Sequence, residues 1–189
     1  MKVFLVTLLI ILTAAPVFAH PHVFVDVDVS IETGQGRITA IEQSWLFDDM
    51  FSAMMIMDYD KNRNGRLDLD EVAAFKKGYF DQFSESSYFT FIRNGKNTVK
   101  FTRATDFMPN VINGRLSCGF RLEMAVAVPV SGSDILIYDP SYYNSVKVNS
   151  ASVSGGDSKK VTAKIAVFDS LKYYFGQISP DAVMLRGKK

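Results

Sequence analysis

The sequence predicts an α+β fold, a mostly antiparallel, sandwich-like β domain with one inserted EF-hand helix–loop–helix. Three observations predict it. Apolar and polar residues alternate over residues 22–31 and again over 116–128, the period of a half-buried strand. Between Asp48 and Phe83 the period lengthens to that of a helix. The two helical runs are separated by a polar loop, residues 60–71, with Gly65 near its middle.

The chain opens as a secretory signal peptide. Lys2 precedes an apolar run, and Val17-Phe18-Ala19 forms a small-residue cleavage site, so residues 1–19 are expected to be removed after Ala19. The run is shorter than the roughly 20 apolar residues of a spanning helix, and Pro16 interrupts it. No later segment is long and apolar enough to span a bilayer, so no direct membrane insertion is expected after cleavage. A periplasmic location follows, with residues 20–189 forming a single β-rich domain. Loss of Lys2 leaves basic and acidic residues in balance, which gives no electrostatic reason to expect nucleic acid as a partner. Cys118, the only cysteine, cannot form an internal disulfide and falls on the same side of its strand as Leu116 and Phe120, the position of a small buried hydrophobe.

In the first strand Val23, Val25, Val27, Val29 and Ile31 face one way, and His22, Phe24, Asp26, Asp28 and Ser30 the other. Gly34-Gln35-Gly36 turns the chain into a returning strand, residues 38–47. The insert, residues 49–84, starts with Asp48 or Asp49 as helix cap. Met50, Phe51, Met54, Met55 and Met57 recur at helical spacing, which favours methionines packed on a core over soft copper ligands. A second helix over 71–83 places Val72, Phe75 and Tyr79 on one face. Trp45, beside Phe47 and Phe51, is expected to be buried where the insert meets the sheets.

Beyond the insert, Asn94-Gly95 signals a hairpin between residues 88–93 and 96–102. A long strand over 116–128 and a short one over 135–138 follow, the latter stopped by Asp139-Pro140. Residues 143–153 and 161–168 read as a second hairpin, residues 169–175 as a short helix, and the last three residues as a frayed tail. The count is seven or eight strands.

Calcium takes six to eight oxygen ligands, and the 60–71 loop supplies them at the required spacing. Asp60, Asn62 and Asn64 offer side-chain oxygens at positions one, three and five; Gly65 permits the turn at six; Arg66 offers its carbonyl at seven; Asp68 ligates through water at nine; Glu71 supplies two oxygens at twelve. Leu67 is the apolar residue that pins the loop to the core. Few ligands are charged and no sister loop exists, so the expected Kd is on the order of 10⁻⁴ M.

The two histidines, His20 and His22, sit at the cleavage site. Cleavage would give His20 a free α-amine that could join both imidazoles around zinc, nickel or copper, with Asp26 and Asp28 continuing the same strand face as oxygen ligands. Pro21 disfavours the amino-terminal copper and nickel geometry that needs a backbone N–H at that position. No phosphate-cradling glycine loop, nucleophile elbow or cysteine pair is present, and an N-terminal copper enzyme would want a further, well-separated histidine. No enzymatic activity is expected.

The motifs His20-Pro21-His22-Val23-Phe24-Val25-Asp26, Trp45-Leu46-Phe47-Asp48-Asp49-Met50-Phe51-Ser52, the 60–71 loop, Tyr88-Phe89-Thr90-Phe91 and Tyr138-Asp139-Pro140-Ser141-Tyr142-Tyr143 together resemble a family of exported bacterial proteins, domain of unknown function 1007. The resemblance spans about residues 20–150. It implies a periplasmic component of an ABC-type transport system and an accessory role near a membrane transporter of nickel, cobalt or zinc. The alternative is a calcium-stabilised structural or protein-interaction module with no transition-metal role.

Overall fold

The computed structural model describes residues 22–188. The expected signal peptide and cleavage site, residues 1–19, and His20 lie outside the described residues. Two five-stranded sheets make up the β framework. The first contains β1 (Val23–Gly34), β2 (Arg37–Phe47), β5 (Thr105–Ile112), β6 (Arg115–Pro129) and β8 (Asn144–Gly155) in the order β5-β6-β2-β1-β8. The second contains β3 (Thr90–Asn94), β4 (Asn97–Lys100), β7 (Ser133–Ile137), β9 (Val161–Val167) and β10 (Asp181–Gly187) in the order β4-β3-β7-β10-β9. Pairing is antiparallel throughout except for β1 and β8, which run parallel.

The alternation in β1 resolves as expected. Val23, Val25, Val27, Val29 and Ile31 are buried, while the intervening residues face outward. They join Ile41, Trp45, Leu122, Ile92, Ile135 and Val183 from both sheets in one hydrophobic core. Ile135, Leu136 and Ile137 are all fully buried, because β7 is covered on both faces. Its outer face carries Leu136, which packs with Phe91 and Ala182 under Tyr138, Phe168 and Leu171.

Between β2 and β3 the chain forms α1 (Asp49–Tyr59), α2 (Leu69–Gly78) and a kinked 3₁₀ segment, Phe80–Phe89. Asp48 caps α1: its Oδ1 accepts from the Phe51 N–H at 2.9 Å. Its Oδ2 accepts from the Phe24 N–H at 2.8 Å, tying the helix start to β1. Ser52, fully buried, accepts the Leu116 N–H at 2.9 Å and donates to the Phe47 carbonyl, fastening α1 to the sheet.

The helices rest on an aromatic floor. Trp45 is fully buried and meets the rings of Phe47, Phe80, Phe83, Phe89 and Phe120 at centroid distances of 4.9–6.2 Å. Its indole N–H donates to Gln43 Oε1 at 2.7 Å, and the Gln43 amide donates to Thr90 Oγ1 at 2.5 Å, so the buried polar groups are satisfied across the two sheets. Trp45 thus lies where expected. Cys118 is buried as well, and burial pushes its thiol pKa up.

Several expectations are corrected. The second helix ends at Gly78, and its continuation is the 3₁₀ segment, with Ser87, Tyr88 and Phe89 in the left-handed region. Met50, Met54 and Met57 are exposed, and only Met55 is buried, because the face of α1 turned to the core carries Phe51, Ser52 and Met55 instead. The Asn94 hairpin pairs Asn94 with Asn97, so its two-residue turn is Gly95-Lys96. β8 and β9 are strands but not a hairpin: β8 pairs with β1 and β9 with β10, in different sheets. Gly155 makes that crossing possible, since at its φ of +80° a Cβ would meet the Thr33 carbonyl at 2.4 Å. Residues 169–175 form turns and an isolated bridge, Tyr173 with Ile178, rather than a helix. β5 and β10 were not expected. β5 contains Pro109 and a left-handed Asp106, tolerable because it is an edge strand with an irregular register.

Candidate metal sites

The polar loop joins α1 to α2 and winds tightly. Arg63 and Gly65 both take positive φ, +57° and +81°. The winding turns side-chain oxygens toward the loop's own backbone. Asp60, only 5% exposed, accepts the Asn64 N–H through Oδ1 at 3.1 Å and the Gly65 N–H through Oδ2 at 2.9 Å. Asn62 Oδ1 accepts the Asn64 N–H at 3.0 Å, and Asn64 Oδ1 accepts the Arg66 N–H at 3.0 Å. These short-range turns hold the oxygens at fixed angles.

Glu71 closes the loop. Its Oε1 accepts the Lys61 and Asn62 N–H groups at 2.7 and 3.3 Å, and its Oε2 accepts the Asp68 N–H at 2.9 Å. One carboxylate thus bridges the two ends of the loop. It also serves as an acidic residue in the first turn of α2, where the helix dipole favours it. Asp68 accepts the side-chain amides of Asn62 and Asn64, both at 2.8 Å, and the Arg66 guanidinium at 3.1 Å. Those bonds, that from Asn62 foremost, hold the Asp68 pKa below the usual carboxylate range. The Arg66 side chain thus pairs with Asp68. Leu67 is half-buried against the main core. Below, the Tyr59 ring meets Phe75 at 5.1 Å, and Phe75 packs on Phe107 of β5.

The second candidate group lies on the outward face of β1. The His22 N–H donates to the Tyr143 carbonyl at 3.0 Å, and the two rings lie 5.0 Å apart. Asp26 faces Arg115 Nη2 at 3.7 Å, and Arg115 is itself held by the Phe47 carbonyl at 2.7 Å. Asp28 accepts the Ser150 hydroxyl at 2.5 Å. The three side chains share a face without being drawn together. Among the described residues no three histidine, cysteine, aspartate or glutamate side chains converge closely enough to hold a metal ion by themselves. A metal in the 60–71 loop therefore depends on the asparagine and main-chain oxygens as well as on the acids.

The family described as "Protein of unknown function (DUF1007)" matches residues 5–167. The chain belongs to this family. The match covers the motifs around Trp45, Tyr88 and Asp139, which line the Trp45 floor and the turn that follows β7. The chain is also similar to an uncharacterized 15.5 kDa protein in the trpE 3′ region of Spirochaeta aurantia, at 28% identity over 130 residues, 67% of this chain and 93% of that protein. No solved structure matches. Among the described residues no helix is long and apolar enough to cross a membrane.

Sequence reasoning treated residues 139–143 as a strand-ending turn, and they do form one. It missed that Asp139 is buried and takes four hydrogen bonds, from the Ser141 N–H and hydroxyl and from the main chain and side chain of Asn144. An Asp followed by Ser at two positions and Asn at five was the available signal.

Proposed function

We propose that this DUF1007 protein is an exported, periplasmic calcium-binding protein whose 60–71 loop is an EF-hand, and that it acts without catalysis as an accessory to zinc, nickel or cobalt transport or handling. The observation that carries the calcium part is the winding of the loop. Left-handed Arg63 and Gly65 put the Asp60, Asn62 and Asn64 oxygens on the inside of one turn, and Glu71 spans its mouth. That is the donor set of a hard, oxygen-loving cation. The transition-metal part rests on His22 at the start of β1, on His20 two residues earlier in the sequence, and on what the family resemblance implies.

Calcium would be held by Asp60, Asn62, Asn64, the Arg66 carbonyl, Asp68 and Glu71, and would supply charge compensation to the loop. The hydrogen bonds that now occupy Glu71 and Asp68 compete with it, which agrees with a weak site of Kd about 10⁻⁴ M. A calorimetric titration is expected to give one calcium per chain, and a rise in Tm with added calcium. Glu71→Gln should weaken binding at least tenfold by removing charge and one strong oxygen. No binding at millimolar calcium would sink the reading.

A second reading, a calcium-stabilised interaction module, is favoured by the outward methionines Met50, Met54 and Met57 of α1. Absence of zinc, nickel and copper binding by the processed protein, with calcium binding intact, would select it.

A further inference from the structure

The outward face of α1 is unlike that of an ordinary surface helix, which turns charged and polar side chains to water. The exposed residues of α1 are Asp49, Met50, Ala53, Met54, Met57 and Asp58. Met50 and Met57 are each 75% exposed and Met54 46%, while Phe51, Ser52 and Met55 take the face against the sheet. The helical spacing of the methionines would suit core packing, but those three residues already fill that role. Met50, Met54 and Met57 are left as free thioethers in water.

They also stand together. Positions i, i+4 and i+7 fall within about 60° of one another around a helix, so the three form one stripe. Met54 is the middle member, with the Cβ atoms of Met50 and Met57 each about 5–6 Å from its own. A methionine has three rotatable bonds and a polarizable sulfur, so Met54 and a neighbour can turn both sulfurs onto one ion. The charge around the stripe suits a cation. α1 contains no lysine or arginine, and its C-terminal end presents the negative pole of the helix dipole. Asp58, one turn beyond Met54, makes no ion pair among the described residues. Arg63 shares with Met57 the groove beside the loop, which favours the Met50 side of Met54 for the ion.

We propose that the outward face of α1 binds one soft monovalent cation, Cu(I), between the sulfurs of Met54 and Met50, with Met57 as a further thioether and Asp58 as the counter-charge. The class follows from the donors. Thioethers are soft ligands that select Cu(I), whereas calcium takes oxygen, and zinc and nickel take imidazole. The site shares no ligand with the 60–71 loop or with His20 and His22, and it rests on neither the calcium nor the zinc, nickel and cobalt reading.

The test is a Cu(I) titration of the full mature protein, with ascorbate and calcium present and bathocuproine disulfonate as competing chelator. The host is the His20→Ala/His22→Ala double variant, so that imidazole cannot hold the ion. One Cu(I) per chain is expected, with the ε-methyl NMR signals of Met50 and Met54 shifting and that of Met108 unmoved. Met54→Leu keeps the apolar bulk and a good helix former while removing the sulfur, and it should weaken Cu(I) binding more than about tenfold. Met57→Leu should cost less than Met54→Leu. Met108→Leu removes an equally exposed thioether that stands alone on β5, and it should change nothing. Zinc should shift none of the methyl signals, and the calcium-dependent rise in Tm should survive in Met54→Leu. Absence of Cu(I) binding by the double variant overturns the proposal and leaves the methionines to the interaction reading. Equal affinity in Met54→Leu and its host overturns it too, as does an equal loss in Met54→Leu and Met108→Leu.

Discussion

The 60–71 loop and the outward face of β1 are built from similar residues, yet only one of them gathers its oxygens. In the loop two left-handed residues curl the chain, so donors two positions apart point to a shared interior and are braced by main-chain N–H groups. On β1 donors two positions apart point in parallel, about 6–7 Å from one another by strand geometry. Each finds its own neighbour: Asp26 meets Arg115 of β6, and Asp28 meets Ser150 of β8. Period alone does not gather oxygens. Curvature does, and in this chain curvature sits at Arg63 and Gly65.

The loop loses most if the floor beneath the helices is removed. Trp45→Ala deletes a side chain that touches five aromatic rings, and it leaves the Gln43 carbonyl without its indole donor. A loss of about 3–5 kcal/mol in denaturant unfolding is expected. A loss below 1 kcal/mol would mean that the loop does not depend on this floor.

Next in size is Asp60→Ala. It removes the acceptor of the Asn64 and Gly65 N–H groups at a buried position, and about 1–3 kcal/mol should be lost even in calcium-free buffer. Calcium should no longer raise Tm. If stability were unchanged without calcium, the carboxylate would not be bracing the loop.

Gly65→Ala touches curvature without touching any donor. There is open space around the position, but its φ of +81° is costly for a residue with a Cβ. About 1 kcal/mol of destabilisation is expected, with calcium affinity reduced and every side-chain oxygen still present. An unchanged affinity would show that the loop can wind without the glycine.

What the sequence made legible divides along the same line. Local pattern carried β1, β2, β6 and the cap at Asp48, where each residue's role depends on neighbours a few positions away. The loop was legible for that reason too: its donors and its turn lie within one short stretch. The parallel pairing of β1 with β8 joins Val23 to Asn144 across the whole domain, and no local period announces it. The polar stretch after Gly155 reads as a hairpin turn but crosses between sheets, held by Asp157, whose side chain accepts the Gly36 N–H at 2.7 Å. The methionines of α1 misled because their helical spacing was real while the face toward the core was set by Phe51, Ser52 and Met55. The environment of Asn144 was illegible because its unpartnered Oδ1 exists only once Asp139 has claimed the other end of the amide.

The smallest effects belong to the strand face, and they decide whether Asp26 and Asp28 are ligands at all. Asp28 is exposed and, among the described residues, its side chain bonds an exposed serine, so Asp28→Ala should change stability by no more than about 0.5 kcal/mol. Asp26→Ala loses a partly exposed ion pair at 3.7 Å, which is worth about 0–1 kcal/mol. Both carboxylates lie on the His22 side of β1, but the parallel projection of strand side chains keeps them from meeting an ion at His22. Zinc affinity of the processed protein is therefore expected to fall in His22→Ala and to stay within about threefold of wild type in the two aspartate variants, since loss of an inner-sphere ligand would cost more than tenfold. A tenfold loss in either aspartate variant would place that carboxylate on the metal, and would require β1 to bend toward the ion when it binds.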